Sequence, residues 1–143
     1  MPLLPVTGDL GINKIVAFGF GAVYLFVGVV GFFLTGVEGF ADPGAAEHLA
    51  GFAVNPLHNV VHLVIALALL VSSRRTKSAR LANGGVGAVY LLVGLLGLFI
   101  ARPDNAANIL AINGFDNVLH LGTAMVLLSV AAAADHVRRP LTY

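Results

Sequence analysis

The hydrophobic positions of the chain fall into four long apolar stretches, at about residues 15–36, 55–72, 84–101 and 113–134. Each is close to the roughly 17–25 residues that a helix needs to cross the hydrocarbon layer of a bilayer. Backbone groups in lipid must be hydrogen-bonded within their own segment, and the stretches lack the alternation of apolar and polar residues typical of membrane barrels. The pattern therefore predicts an all-α membrane protein with four transmembrane helices.

Similar motifs occur in the two halves of the chain. The segment GAVYLFVGVVG begins at Gly21, and GAVYLLVGLLG begins at Gly87. In the same way, NPLHNVVHL begins at Asn55 and NGFDNVLHL begins at Asn113. Each half therefore holds a glycine-containing apolar segment, followed by a segment with Asn and His at helical spacing.

We interpret the two halves as repeats, at about residues 12–73 and 82–134, within a single transmembrane domain that comprises residues 1–143. Each repeat contains two helices, an even number, so both copies enter the membrane in the same direction. The predicted fold is a four-helix bundle of two parallel two-helix repeats, related by a pseudo-twofold axis along the membrane normal.

Composition supports a membrane protein, and the charges predict its orientation. Charged residues make up 10% of the chain and hydrophobic residues 58%, whereas a soluble domain has roughly 25% charged residues. Most basic residues flank the helices on one side of the membrane, at Lys14, Arg74, Arg75, Lys77, Arg80, Arg138 and Arg139. The positive-inside rule predicts a multi-pass membrane protein with both termini and the central loop in the cytoplasm. Because the amino terminus lacks a basic n-region, we expect the first helix to remain as an uncleaved anchor.

Several classes of function lack support in the sequence. The absence of cysteine excludes disulfides, thiolate metal sites and thiol catalysis. The basic residues merely flank helices, which argues against a nucleic-acid partner. Asp116 is the membrane-embedded carboxylate, and no serine has an adjacent histidine, so neither an activated nucleophile nor an acid–base pair is evident. We therefore expect a protein that is not an enzyme.

The first and third helices each carry a stripe of glycines around one tyrosine. The stripes comprise Gly21, Tyr24, Gly28 and Gly31 in the first helix, and Gly87, Tyr90, Gly94 and Gly97 in the third. Small-residue stripes are the usual contact surface between membrane helices, and a flat cofactor lying against the glycines is the alternative. Tyr24 and Tyr90 are expected near mid-bilayer, where each hydroxyl needs a hydrogen-bond partner from the protein.

The second and fourth helices begin with capping signals. Asn55 precedes Pro56, a pattern typical of an N-cap followed by proline at the first helical position. Asn113 is the equivalent cap, and Asp116 is at the third position, where a carboxylate accepts hydrogen bonds from free amides. We expect Asp116 and His58 to lie at the outer surface within reach of water.

Asn59, His62, Asn117 and His120 are left without a capping role, and polar residues at that depth normally face the bundle interior. The first hypothesis is a hydrogen-bonded core in which His62 pairs with Tyr24 and His120 pairs with Tyr90, each helped by an Asn. Such a network would fix the register of the helices.

The second hypothesis is ligation. His62 and His120 would be the axial ligands of a b-type haem iron, with Tyr24, Tyr90, Asn59 and Asn117 around the cofactor. Alternatively, His58 and His62 together with Asp116 and His120 would offer three nitrogens and a carboxylate to one metal ion.

The third hypothesis is proton or solute movement, with the two histidines as relay groups. The inner halves of the second and fourth helices offer only Thr123 and Ser129 as polar groups, which counts against a transporter.

The paired motifs at Gly21 and Asn55 resemble those of a family of small bacterial four-helix membrane proteins classed as a domain of unknown function. The resemblance covers essentially the whole chain and implies an integral membrane protein, but no activity, substrate or cofactor. We expect a structural or accessory subunit without a cofactor, with a buried Tyr/Asn/His network. A haem b electron-transfer protein is the alternative. The expected partners are the lipid bilayer and either a larger membrane complex or further copies of the chain.

Overall fold

The computed structural model describes residues 11–135, so Arg138 and Arg139, on which the predicted orientation partly depends, lie outside the described residues. Four α-helices and one two-stranded hairpin follow one another along the chain, with a 3₁₀ turn at Pro43–Ala45. In chain order they are α1 (Ile12–Thr35), β1 (Glu47–Leu49), β2 (Phe52–Val54), α2 (Pro56–Ser72), α3 (Thr76–Ile100) and α4 (Gly114–Ala133).

The helices are those that the apolar pattern predicts, with one difference in length. α3 begins at Thr76 and not near residue 84, so it contains Lys77, Arg80 and the buried Asn83. The apolar pattern marks only the part of α3 that follows these polar and charged residues. The helix itself extends further towards its amino end, where charged side chains can lie beside lipid headgroups.

The hairpin between α1 and α2 was not expected. Its strands pair antiparallel, with Leu49 opposite Phe52. The two residues between them, Ala50 and Gly51, have positive φ values of 52° and 93°, as a two-residue hairpin turn requires. Strands of three residues are too short to give a recognisable apolar alternation.

The predicted caps of α2 and α4 are confirmed. The Asn55 side-chain oxygen accepts a hydrogen bond from the backbone N–H of His58 at 2.9 Å, and Pro56 opens the helix. At α4, the Asn113 side chain accepts from the Asp116 N–H at 3.1 Å, and the Asp116 carboxylate accepts from the Asn113 N–H at 2.8 Å. This reciprocal pair is a capping box.

Glycines join the two helices of each helical pair, α1 with α2 and α3 with α4. A Cβ atom built on Gly28 would lie 2.8 Å from Leu63, and one built on Gly94 would lie 2.8 Å from Leu121. The stripes are therefore filled by side chains of the partner helix, as the helix-contact interpretation predicts. At Gly28 and Gly94 the space beside the helix is therefore occupied by leucine.

The outer surface of the bundle is apolar, and its centre contains small and aromatic residues. Large side chains that point outwards include Phe18, Phe26, Phe33, Leu67, Phe99, Val118 and Met125. The core cluster consists of Ala17, Tyr24, Ala66, Leu69, Ala79, Tyr90 and Ala124. Within residues 11–135, α1, α3 and α4 are long and apolar enough to cross a membrane, whereas α2 has 17 residues and is shorter. The described part of the chain is thus mainly helical, and three of its helices are long and apolar enough to span a membrane.

Candidate functional site

Three histidines converge near the end of the bundle that the hairpin covers. His58, His62 and His120 are 2%, 4% and 2% exposed. One ring nitrogen from each lies within 4.8 Å of the corresponding nitrogens of the other two. His62 and His120 are thus brought together, and His58 joins them. We call these three residues the histidine cluster.

The burial of His58 differs from the expected exposure to water. The β1–β2 hairpin folds towards the start of α2, and β2 contributes the buried residues Ala53 and Val54. The Nδ1 of His58 lies 3.2 Å from the backbone carbonyl of Ala53, as a donor to that oxygen. Because the hairpin was not predicted, the burial of His58 beneath it was not expected either.

The cluster continues into a closed circuit of five rings. The ring of Tyr24 stacks on His62 and on Tyr90, with centroids 5.3 Å apart in both pairs. Tyr90 contacts His120 at 5.0 Å, and His58 contacts His62 at 4.5 Å and His120 at 5.9 Å. The circuit places both tyrosines beside the histidines that the sequence pairs with them.

These Tyr–His contacts are ring contacts and not the expected hydrogen bonds. The Tyr24 hydroxyl donates to the hydroxyl oxygen of Thr123 at 3.2 Å. The Asn59 amide donates to the hydroxyl of Thr35 at 3.0 Å, and its oxygen faces Gly31. Asn117 faces Gly97 in the same way. Both asparagines therefore pack against the glycine stripes and not beside the histidines. Each lies three residues before its histidine, which is less than a full turn of about 3.6 residues, so it points towards the partner helix.

Two imidazole nitrogens of the cluster lack protein partners. The Nδ1 atoms of His62 and His120 are buried and have no hydrogen-bond partner among the described residues. A cavity of about 20 Å³ is lined by the three histidines together with Val61, Ile65, Val89, Tyr90, Val93 and Leu110. A volume of roughly 10–15 Å³ is enough for one water molecule. The cluster thus borders space for a single water or ion.

Asp116 is buried but does not belong to the cluster. One of its carboxylate oxygens accepts hydrogen bonds from the backbone N–H of Asn113 and from that of Ala53, the latter at 3.1 Å. It therefore joins the start of α4 to the hairpin. Of the four predicted metal ligands, the three histidine nitrogens therefore lie together, and the Asp116 carboxylate lies outside the group.

A second polar site at the opposite end of the bundle was missed by the sequence analysis. The Asn83 amide of α3 donates to both the backbone carbonyl and the side-chain oxygen of Asn13, at 3.0 Å each. Asp135, just after α4, accepts from the backbone N–H groups of Ile12 and Asn13 at 2.9 and 2.8 Å, and so caps α1. Two asparagines within otherwise apolar helices were the available signal.

The environment of Asp135 favours its charged form. Partial burial acts to raise the pKa of this carboxyl, but the hydrogen bonds from Asn13 and Ile12 and the nearby Arg80 outweigh that effect. The pKa of Asp135 is consequently lower than its ordinary value. A charged carboxylate at the start of α1 also interacts favourably with the helix dipole.

The cap residues of the other end reach across the bundle. The Asn55 amide donates to the carbonyl of Ile109 at 2.8 Å, and the Asn113 amide donates to the carbonyl of Gly51 at 2.9 Å. Each acceptor lies four residues before the cap of the opposite helix. The starts of α2 and α4 are thus tied to one another's preceding loops.

One comparison with known proteins gave a match. A family model described as "Domain of unknown function (DUF4383)" matches residues 14–133. No curated protein and no solved structure matches the chain.

Proposed function

Since the chain belongs to the DUF4383 family, whose description states no activity, we propose a function from the geometry: a non-enzymatic structural or accessory module of a membrane. In this proposal all four helices, including the shorter α2, cross the cytoplasmic membrane of a bacterium, and both termini lie in the cytoplasm. The buried polar groups hold two helical hairpins together in a fixed register.

The observation that carries this proposal is that one kind of contact joins the helices within each pair and another kind joins the two pairs. Glycines against leucines and asparagines join α1 to α2 and α3 to α4. Between these pairs, the contacts include buried polar groups at both ends and the centre: Asn13 with Asn83, Tyr24 with Thr123, and Asn55 with Ile109. Lipid tails are as apolar as leucine, so apolar burial alone does not drive two hairpins together inside a membrane. Polar links of this kind give the pair a defined arrangement.

Matched contacts support the proposed repeat and its axis along the membrane normal. Gly28 and Gly94 meet leucines of their partner helices at equivalent positions, and Gly31 and Gly97 both meet an asparagine. The cap of α2 and the cap of α4 make reciprocal cross-links to the opposite loop. Two insertions in the same direction would place these pairs at equal depths.

The haem b alternative, with His62 and His120 as axial ligands, has less support. The cavity that the three histidines border is about 20 Å³, and Tyr90 is also part of its lining. A porphyrin between His62 and His120 would need far more room than this cavity offers. We therefore favour the module without haem, for which an absorption spectrum of the purified protein should contain no Soret band.

Membrane topology is the most direct test, because the chain has no native cysteine. A single cysteine introduced as Asp104→Cys, between α3 and α4, should react with a membrane-impermeant maleimide in intact spheroplasts. Arg74→Cys, between α2 and α3, should react only after permeabilisation. Equal labelling of the two variants in intact spheroplasts would contradict the proposed topology. Recovery of co-purifying subunits in mild detergent, or of oligomers of the chain alone, would separate an accessory subunit from a self-assembling module.

A further inference from the structure

We propose that the histidine cluster is a binding site for one first-row transition-metal ion of the Zn²⁺ class, held by one nitrogen each from His58, His62 and His120. This inference goes beyond the structural role, which does not require an ion. It depends on three observations: the convergence of three ring nitrogens, the missing partners of two ring nitrogens and the cavity that all three histidines border.

The distances fit an ion after small ring movements. Zinc binds imidazole nitrogen at about 2.0–2.1 Å, so two ligands in a tetrahedral site are roughly 3.3 Å apart. The nitrogens of the cluster lie within 4.8 Å of one another. Rotation of the rings about their side-chain bonds would close the difference, and all three rings border a cavity of about 20 Å³.

The unpaired nitrogens point to a ligand that the protein itself does not supply. A buried polar atom without a partner is unfavourable by about 1–3 kcal/mol, and the cluster contains two, the Nδ1 atoms of His62 and His120. The hydroxyl of Tyr90, whose ring contacts His120, is also buried without a partner in the described part of the chain. A metal ion would use the lone pairs of the three imidazoles together, which no arrangement of hydrogen bonds among the three rings achieves.

His58 has the outer-shell contact that metal-ligating histidines usually make. Its Nδ1 donates to the carbonyl of Ala53 at 3.2 Å. Such a bond fixes the tautomer, with the proton on Nδ1 and the lone pair on Nε2. The backbone of Leu110 also lies close to this ring. The three imidazoles are neutral ligands, so the nearest acidic residue on the same face of α4, Asp116 one turn before His120, would offset part of the ionic charge in the low-dielectric interior.

A second cavity lies beside the site, on the hairpin side. Its volume is about 210 Å³, and its lining includes Ala53, Asn108 and Asn113. Ala53 borders this cavity, and its carbonyl is the partner of His58.

Co²⁺ is the probe for the test, because its visible spectrum distinguishes tetrahedral from octahedral coordination. Chelator-treated full-length protein in nanodiscs would be titrated with Co²⁺, and the bound Zn²⁺ would be counted by elemental analysis in a parallel sample. We expect one ion per chain, a tetrahedral Co²⁺ spectrum and displacement of Co²⁺ by Zn²⁺. An octahedral spectrum like that of the aqueous ion, or fewer than about 0.2 ions per chain at saturating metal, would overturn the proposal without any variant.

The variants assign the ligands. His62→Gln and His120→Gln should each weaken Co²⁺ binding at least ~100-fold, since removal of an outer-shell partner alone typically costs 10–100-fold. The matched control is His48→Gln, because His48 is exposed on β1 and lies outside the cluster. It should bind with unchanged affinity. Equal losses in all three variants would indicate surface binding and would refute the site.

The result separates this inference from the structural proposal. If wild-type protein binds no metal but His62→Gln lowers its thermal stability, the cluster is only a packing element. If metal binds tetrahedrally while the topology test fails, the site stands and the proposed arrangement in the membrane does not.

Discussion

Substitution of Gly31 by alanine should destabilise the protein, whereas the same substitution at Gly19 should not. A Cβ on Gly31 would overlap the side-chain amide of Asn59, whereas a Cβ on Gly19 would meet nothing within 4 Å. Both glycines lie within α1, so both substitutions gain the same intrinsic helix propensity, up to about 1 kcal/mol. The difference between them therefore isolates the contact with α2.

The magnitude follows from what Asn59 must do. Overpacking of a well-packed site costs typically 1–3 kcal/mol. Rotation of the Asn59 amide away from the new methyl group would also break its 3.0 Å hydrogen bond to Thr35, and such interhelical bonds are worth about 0.6 kcal/mol in membrane bundles. After subtraction of a propensity gain of about 1 kcal/mol, we expect Gly31→Ala to lower the free energy of unfolding by about 0.6–2.6 kcal/mol.

The assay is reversible unfolding in mixed micelles of a mild detergent and dodecyl sulfate, followed by far-ultraviolet circular dichroism. A second variant tests the mechanism: in the Gly31→Ala background, Asn59→Ala should recover part of the lost stability, because it removes the atoms that the methyl group meets. A positive coupling energy between the two sites is expected. If Gly31→Ala is as stable as Gly19→Ala, or if the double variant is less stable than additivity predicts, the contact is not as the structure has it.

Three further outcomes are expected. Asn83→Ala should lower the free energy of unfolding by about 0.5–1.7 kcal/mol in the same micelle assay, the range of interhelical polar bonds in membranes. Alanine is a suitable replacement, because Ala17 occupies the equivalent position of α1. A loss below about 0.2 kcal/mol would show that the link to Asn13 contributes little. The pKa of Asp135 is lower in the folded protein than its unfolded value of about 3.9. Its contribution to folding stability is therefore present above that value and is lost as pH falls through the folded pKa. Stability should decline below about pH 4 in wild type and less steeply in Asp135→Asn, and parallel pH profiles of the two proteins would contradict this. Asn55→Ala should destabilise more than the ~1 kcal/mol of a cap alone, since it also removes the bond to Ile109, and a loss confined to the cap value in the same assay would show that the cross-link is weak.

The sequence predicted the membrane helices well because their signal is local. Apolar length, the cap at Asn55 and the capping box at Asn113 are all properties of a few neighbouring residues. The position of His62 beside Tyr24 also followed from helical spacing, since each lies on the inward face of its own helix.

The parts that the sequence did not predict depend on contacts between distant segments. The burial of His58 depends on a hairpin of two three-residue strands, which leaves no periodic pattern. Capping of α1 by Asp135 joins residues more than 120 positions apart. The direction of Asn59, towards Gly31 and not towards His62, is a difference of rotation around one helix that spacing alone does not resolve.

The location of the histidine cluster connects the two proposals physically. His58 and His62 belong to the α1–α2 pair and His120 to the α3–α4 pair, so an ion bound by all three would cross-link the pairs. It would add to the Asn55 and Asn113 links at the same end of the bundle. Anything that binds the folded state and not the unfolded one stabilises the protein, by about 2.7 kcal/mol when the free ligand is 100 times its Kd. Metal loading should therefore tighten the junction between the pairs at the hairpin end, while the Asn13–Asn83 contact at the other end remains as it is.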